Sequence, residues 1–228
     1  MLDGTSETSR KEKAMKKVVL LLFLGAFVLM GTSKQAIAES SDLERDIPKI
    51  EQELRNLGVQ ENDITSLLNK LRCGETWDSM KPEYQNLKPQ IVTENYEKTI
   101  YPDGSVAVQT YEPIYNKLDE NNATPYSIVN KKGIHVKRSV GLLTLEFKVN
   151  YSRNTSTGQA KITSQYGKAY YVLGGSASED TSGFKSGWLN PTHAWYAVNY
   201  TGYQNVSAGR YWLKIFVNGN GNWQDSNF

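Results

Sequence analysis

Cysteine, histidine and long apolar runs are all scarce in this 228-residue chain. With Cys73 alone, no intramolecular disulfide is possible, so a disulfide-stapled scaffold is excluded and packing must hold the fold. Two histidines, His135 and His193, stand in no recognisable nucleophile or metal-ligand spacing, and no cofactor or metal site is expected. Neither gives Cys73 the base that a catalytic thiol needs, so Cys73 is expected to be a half-buried helix-end residue. The longest apolar run, Val18 to Met30, has 13 residues, whereas spanning a bilayer takes about 20.

That short run has the flanks of a secretory signal. Lys16 and Lys17 precede it, and Ala36-Ile37-Ala38 follows as a small-x-small cleavage site. Lys11-Glu12 can be encoded by a bacterial ribosome-binding sequence, which makes Met15 the expected start and residues 1–14 an upstream extension. Removing residues 1–38 leaves 190 residues, enough for one main core. At 39% hydrophobic and 22% charged, the composition is that of a folded protein.

The overall charge of +2 conceals a division along the chain. Residues 39–125 carry 9 Lys/Arg against 17 Asp/Glu, a net −8, and residues 126–228 carry 11 against 4, a net +7. Such asymmetry points to an interaction surface or to two halves that face each other.

Leu43, Ile47, Ile50, Leu54 and Leu57 follow helical spacing, and Pro48 predicts that the regular helix begins near Asp46 and ends at Gly58. Ile64, Leu67, Leu68 and Leu71 predict a second helix, capped by Asn62 or Asp63 and closed by Gly74. Together these make an acidic helical hairpin over residues 39–88. A β-hairpin and linker are expected over 89–125: strands Ile91 to Tyr101 and Ser105 to Glu112 flank Pro102-Asp103-Gly104, and Asp119 to Pro125 reads as a polar linker. Alternation at Leu143, Leu145, Phe147, Val149 and Tyr151 opens a basic, aromatic-rich β region over 126–228. Further strands are expected at 159–165, 169–173, 194–200 and 211–217, and Asn218 to Asp225 reads as a turn rather than a calcium loop. The expected class is α+β, a helical hairpin followed by an antiparallel β-sandwich.

Leu67-Leu68-Asn69-Lys70-Leu71 and Gly74-Glu75-Thr76-Trp77-Asp78-Ser79, followed by Tyr101-Pro102-Asp103-Gly104-Ser105, give residues 43–112 their likeness. In these segments the chain resembles a group of uncharacterised secreted proteins of Gram-positive bacteria. Cys73 stands where that group is expected to have a polar residue. The resemblance implies export and architecture and assigns no activity. A looser likeness, to large heat-labile bacteriocins, lies only in the arrangement of an exported, disulfide-free, aromatic-rich β domain.

Adjacent aromatics in Trp195-Tyr196 and Tyr211-Trp212 must point to opposite sheet faces, so some aromatics face outward. With the basic run they suggest a secreted, non-enzymatic, bacteriocin-like effector that binds the cell envelope and perturbs membranes. Lys131, Lys132, Lys137 and Arg138 would attract an anionic membrane or cell-wall polymer, and Trp195, Trp212 and Trp223 would anchor at the interface. A glycan or cell-wall binding module is the alternative, since Trp and Tyr also stack on sugars. A hydrolase using Glu75 and Asp78 is a further one, against their simpler reading as turn-capping residues. Nucleic acid is not an expected partner, because an export signal is present and no binding motif is recognisable.

Overall fold

A computed structural model describes residues 32–113, 128–203 and 206–228. The signal run and the linker Asp119 to Pro125 lie outside these residues. Residues 1–42 and 43–228 form two compact units. Helix α1 (Thr32–Asn56) contributes its backbone from Thr32 to Asp42 to the first unit, including Ala36-Ile37-Ala38. All side chains described below belong to the second.

Among the described residues the fold is β-rich, with ten strands in two antiparallel sheets and few helices. The larger sheet is a meander of β1 (Ile91–Val92), β2 (Tyr96–Ile100), β3 (Val106–Pro113), β4 (Ile128–Ser139), β5 (Leu143–Asn154) and β6 (Gln159–Val172), in that order. The smaller runs β10 (Asn222–Ser226), β9 (Gly209–Val217), β8 (Thr192–Gly202) and β7 (Gly175–Phe184).

Helix α1 continues through Pro48 instead of starting near Asp46. Pro48 is exposed, so its ring meets solvent and not the core. In α1 the apolar stripe Leu43, Ile47, Ile50 and Leu54 is buried. Helix α2 (Glu61–Arg72) starts two or three residues earlier than a cap at Asn62 or Asp63 would set it: Gln60 is the N-cap and makes no side-chain capping bond.

Both helices end alike. Gly58 (φ 71°) and Gly74 (φ 72°) take the left-handed conformation. The Val59 amide then reaches the Leu54 carbonyl and the Glu75 amide that of Lys70, a Schellman closure that satisfies carbonyls left bare at a helix end. Cys73, the C-cap of α2, is exposed, not half-buried, because it has passed beyond the buried stripe.

Ile91 to Tyr101 is two strands rather than one. Thr93 donates its amide to the Tyr96 carbonyl, folding β1 back on β2. The Pro102-Asp103-Gly104 turn joins β2 to β3 as expected, with Ile100 opposite Val106. The expected strands 159–165 and 169–173 merge into the single strand β6, which ends at Val172 and leaves Leu173 beyond it. Strands β4, β7 and β10 have no counterpart in the hydrophobic pattern; β7, Gly-Ser-Ala-Ser-Glu-Asp-Thr-Ser-Gly-Phe, is an edge strand exposed along most of its length, so nothing selects apolar alternation there.

One buried cluster joins the helices to the inner faces of both sheets: Leu54, Leu67 and Trp77 share it with Phe147, Leu145, Leu213 and Ile215, all fully buried.

Candidate functional site: an aromatic sheet face

Along β8 and β9, alternation sends Ala194, Tyr196, Val198, Tyr211, Leu213 and Ile215 into the core. His193, Trp195, Trp212, Lys214 and Phe216 are thereby left on the outward face and partly exposed. Strand register assembles them: His193 lies opposite Phe216, which lies opposite Trp223 on β10, and Trp195 lies opposite Lys214.

These rings form a connected group. His193 is 5.7 Å from Trp195 and 5.4 Å from Phe216, and Phe216 stacks on Trp223 at 5.4 Å with 11° between planes. Trp223 sits on an edge strand and is 41% exposed, so its second face is open. The indole of Trp195 lies over Gly183 of β7. A Cβ there would come within 2.9 Å of two carbons of its six-membered ring, so glycine leaves the room that the indole occupies. Trp212 differs, because the Lys214 ammonium lies 3.9 Å from its ring centroid and covers that face.

Burial, with the positive charges of Lys214 and Lys185, holds the His193 imidazole below its usual pKa. At neutral pH the ring is therefore uncharged. Lys185 follows the end of β7 and donates its amide to the His193 carbonyl at 2.8 Å.

The three indoles expected to act together, Trp195, Trp212 and Trp223, do share this face. The four cations expected to act with them do not form one surface. Lys131 is paired with Tyr151 on the core side of its sheet, Lys132 sits in the β-bulge that follows, and Lys137 is opposite Glu146 on the outward side. Arg138 points inward. Its guanidinium is enclosed, donating to the Phe228 carbonyl and to Gln109 and lying over the Phe228 ring, which corrects its expected surface role. A bulge in β4 and the two-residue alternation of strands account for this dispersal.

Of the carboxylate pair, Glu75 is exposed, whereas Asp78 is buried and ion-paired to Lys81 at 2.6 Å. Asp78 opens a 3₁₀ turn (Asp78–Met80), and its amide donates to Asp103. Asn218 closes the β9–β10 turn by accepting from the amides of Asn220 and Gly221; the turn expected over Asn218 to Asp225 is confined to Asn218–Gly221, since Asn222 to Asp225 pair with β9 as strand β10. Among the described residues, no group of three or more potential ligands could hold a metal ion, and no helix is long and apolar enough to cross a membrane.

Lys185, Lys214, His193, Phe216 and Gly183 escaped the sequence reading of the site. Two-residue spacing in His193-Ala194-Trp195 and in Trp212-Leu213-Lys214-Ile215-Phe216 was a usable signal for His193, Lys214 and Phe216, and for Lys185 there was none. The role of Gly183 depends on strand register and had no such signal.

No family model matches this chain, and no curated protein matches it. A solved structure, that of a hypothetical protein from Listeria monocytogenes EGD-e, is similar at 18% identity over 57% of this chain and 91% of that one. Its TM-score is 0.31, too low a likeness to carry an argument about fold or function.

Proposed function

We propose that this protein is an exported, non-enzymatic binder of the bacterial cell envelope that holds a wall glycan on the outward aromatic face of its smaller sheet. The observation that carries this reading is the grouping of Trp195, packed against Gly183, with Phe216 and the 41% exposed Trp223 on one outward sheet face. Sugar rings present C–H faces that stack on such platforms, and indoles suit the role because they are large and rigid. Export rests on the signal-like segment Met15–Ala38. N-terminal sequencing of secreted material is expected to begin at Glu39.

In the accompanying fold reading, the two sheets form a sandwich and α1 and α2 a helical hairpin. Support comes from the shared core, in which Leu54 and Leu67 of the helices meet inward residues of both sheets. The segments behind the resemblance to secreted Gram-positive proteins have a structural part in this reading. Asp103 of the Tyr101–Ser105 turn accepts from Lys70, from the Asp78 amide and from Ser105, joining them.

Bacteriocin-like membrane action is the second reading, favoured by the four exposed or half-exposed indoles Trp188, Trp195, Trp212 and Trp223. Attraction to an anionic surface contributes about 1 kcal/mol per well-placed cation. Division of Lys131, Lys132, Lys137 and Arg138 between sheet faces leaves that reading less supported than the glycan one. Retention of the purified protein on cell wall and on anionic liposomes, at low and high salt, separates them. Wall retention that survives salt and is lost in Trp195→Ala is the expected result. Liposome binding with dye leakage, abolished by salt, would replace the glycan with a membrane.

A further inference from the structure

Building on that reading of the aromatic face, we infer that its ligand is an acidic polysaccharide, stacked on Trp195 and Trp223 with its anionic groups held by Lys214 and Lys185. Directly opposed residues on one sheet face have neighbouring side chains, which puts Lys214 beside Trp195. Contact with the Trp212 ring positions the Lys214 ammonium within the aromatic group without using up its N–H donors. Lys185 enters from the β7–β8 connection, anchored by its amide at His193.

Another cation on this face is already occupied. Arg210, also outward on β9, is bound to Asp180 at 2.6 Å. Among the described residues, neither Lys185 nor Lys214 has a carboxylate within ion-pair distance. Asp225 stands opposite Lys214 on β10, yet one of its carboxylate oxygens accepts the Ser226 amide at 2.9 Å. Positive charge free to meet a ligand is thus placed beside the ring faces. Sugar acids match this arrangement, since the ring stacks by its C–H face while its charge projects from the edge. Carboxylate on a uronic acid and phosphate in a wall polymer share that chemistry.

Polygalacturonate and its methyl ester test the inference, because they have the same ring and differ in charge. Titration calorimetry at low salt is expected to show the full-chain protein binding the acid at least tenfold more tightly than the ester. Lys214→Gln and Lys185→Gln should each weaken binding of the acid by about three- to tenfold, the scale of one lost charge-assisted contact, and leave the ester unchanged. Cell wall stripped of phosphodiester polymers by hydrofluoric acid identifies the source: lost retention identifies phosphate, and persistent retention identifies carboxylate. Equal binding of acid and ester, or lysine variants without effect, overturns the acidic class, while sensitivity to Trp195→Ala preserves the aromatic face as the site. Absence of binding to wall and to both polymers overturns both. Circular dichroism of each variant establishes that it is folded.

Discussion

Asp103 accepts hydrogen bonds from the Ser105 amide and hydroxyl and from the Asp78 amide, and pairs with Lys70 at 3.0 Å. Burial pushes its carboxyl upward, but the bonds from Ser105, Asp78 and Lys70 outweigh burial and hold its pKa below the ordinary value. A depressed folded-state pKa means stability that is present above the unfolded value of about 3.9 and lost as pH falls through the lower folded value. Asp103→Asn is expected to cost about 2–4 kcal/mol at pH 7, since it takes from Lys70 its nearer carboxylate, leaving only Asp78 at 3.9 Å, and removes an acceptor. Urea unfolding at pH 7 and pH 3 checks this, and the gap between wild type and variant should narrow at the lower pH. A gap independent of pH would show that the Asp103 charge is not what matters. Trp77, fully buried with its indole N–H on the Leu67 carbonyl, fixes the same turn from the helix side.

Helix α1 sets a test at the scale of one element. Proline inside a helix removes a hydrogen bond and costs about 3 kcal/mol relative to alanine. Pro48→Ala should therefore stabilise the protein by about 1–3 kcal/mol in chemical denaturation, because α1 runs through that position. No change would place Pro48 in the first turn of a helix that begins near Asp46, as sequence alone expects. A second test concerns the β7–β8 pair. Gly183→Ala puts a Cβ against the rim of the Trp195 indole, which can tilt away, so the melting temperature should change little while wall retention falls. Unchanged retention would show that the seat of the Trp195 indole against Gly183 does not serve binding. Legibility differed among elements for a physical reason. Helices α1 and α2 and strands β5, β8 and β9 bury one face and so have a periodic pattern; β7 is exposed along most of its length, and its polar residues had nothing to align with.

Across the whole molecule, the acidic and basic stretches are not separate bodies. Strand β3 of the first pairs with β4 of the second inside one sheet. Ion pairing does not bind the halves: among the described residues, each pair within 4 Å joins partners from the same half, as in Arg72 with Glu44 and Arg210 with Asp180. Sheet continuity and the shared core hold them together. Fragments 43–113 and 128–228, produced separately, are expected to lack a cooperative thermal transition by circular dichroism, because β4 would lose its partner and the core its helices. Cooperative melting of 128–228 alone would refute this dependence. At this scale the site was half legible. Alternation predicted outward aromatics, but clustering of sequence-adjacent cations could not predict a surface, since neighbours along a strand face opposite ways.

Sequence by itself determined a disulfide-free chain with a signal-like leader, two helices closed by glycine, a Pro-Asp-Gly hairpin and aromatics that could not all be buried. These follow from residue chemistry within a few positions of the chain. Tertiary structure alone decided that Arg138 turns inward, that Gly183 lies beneath Trp195, and that Lys214 and Lys185 rather than the basic run accompany the indoles. Each of these depends on strand register and bulge position, which are set by packing between residues far apart in the chain.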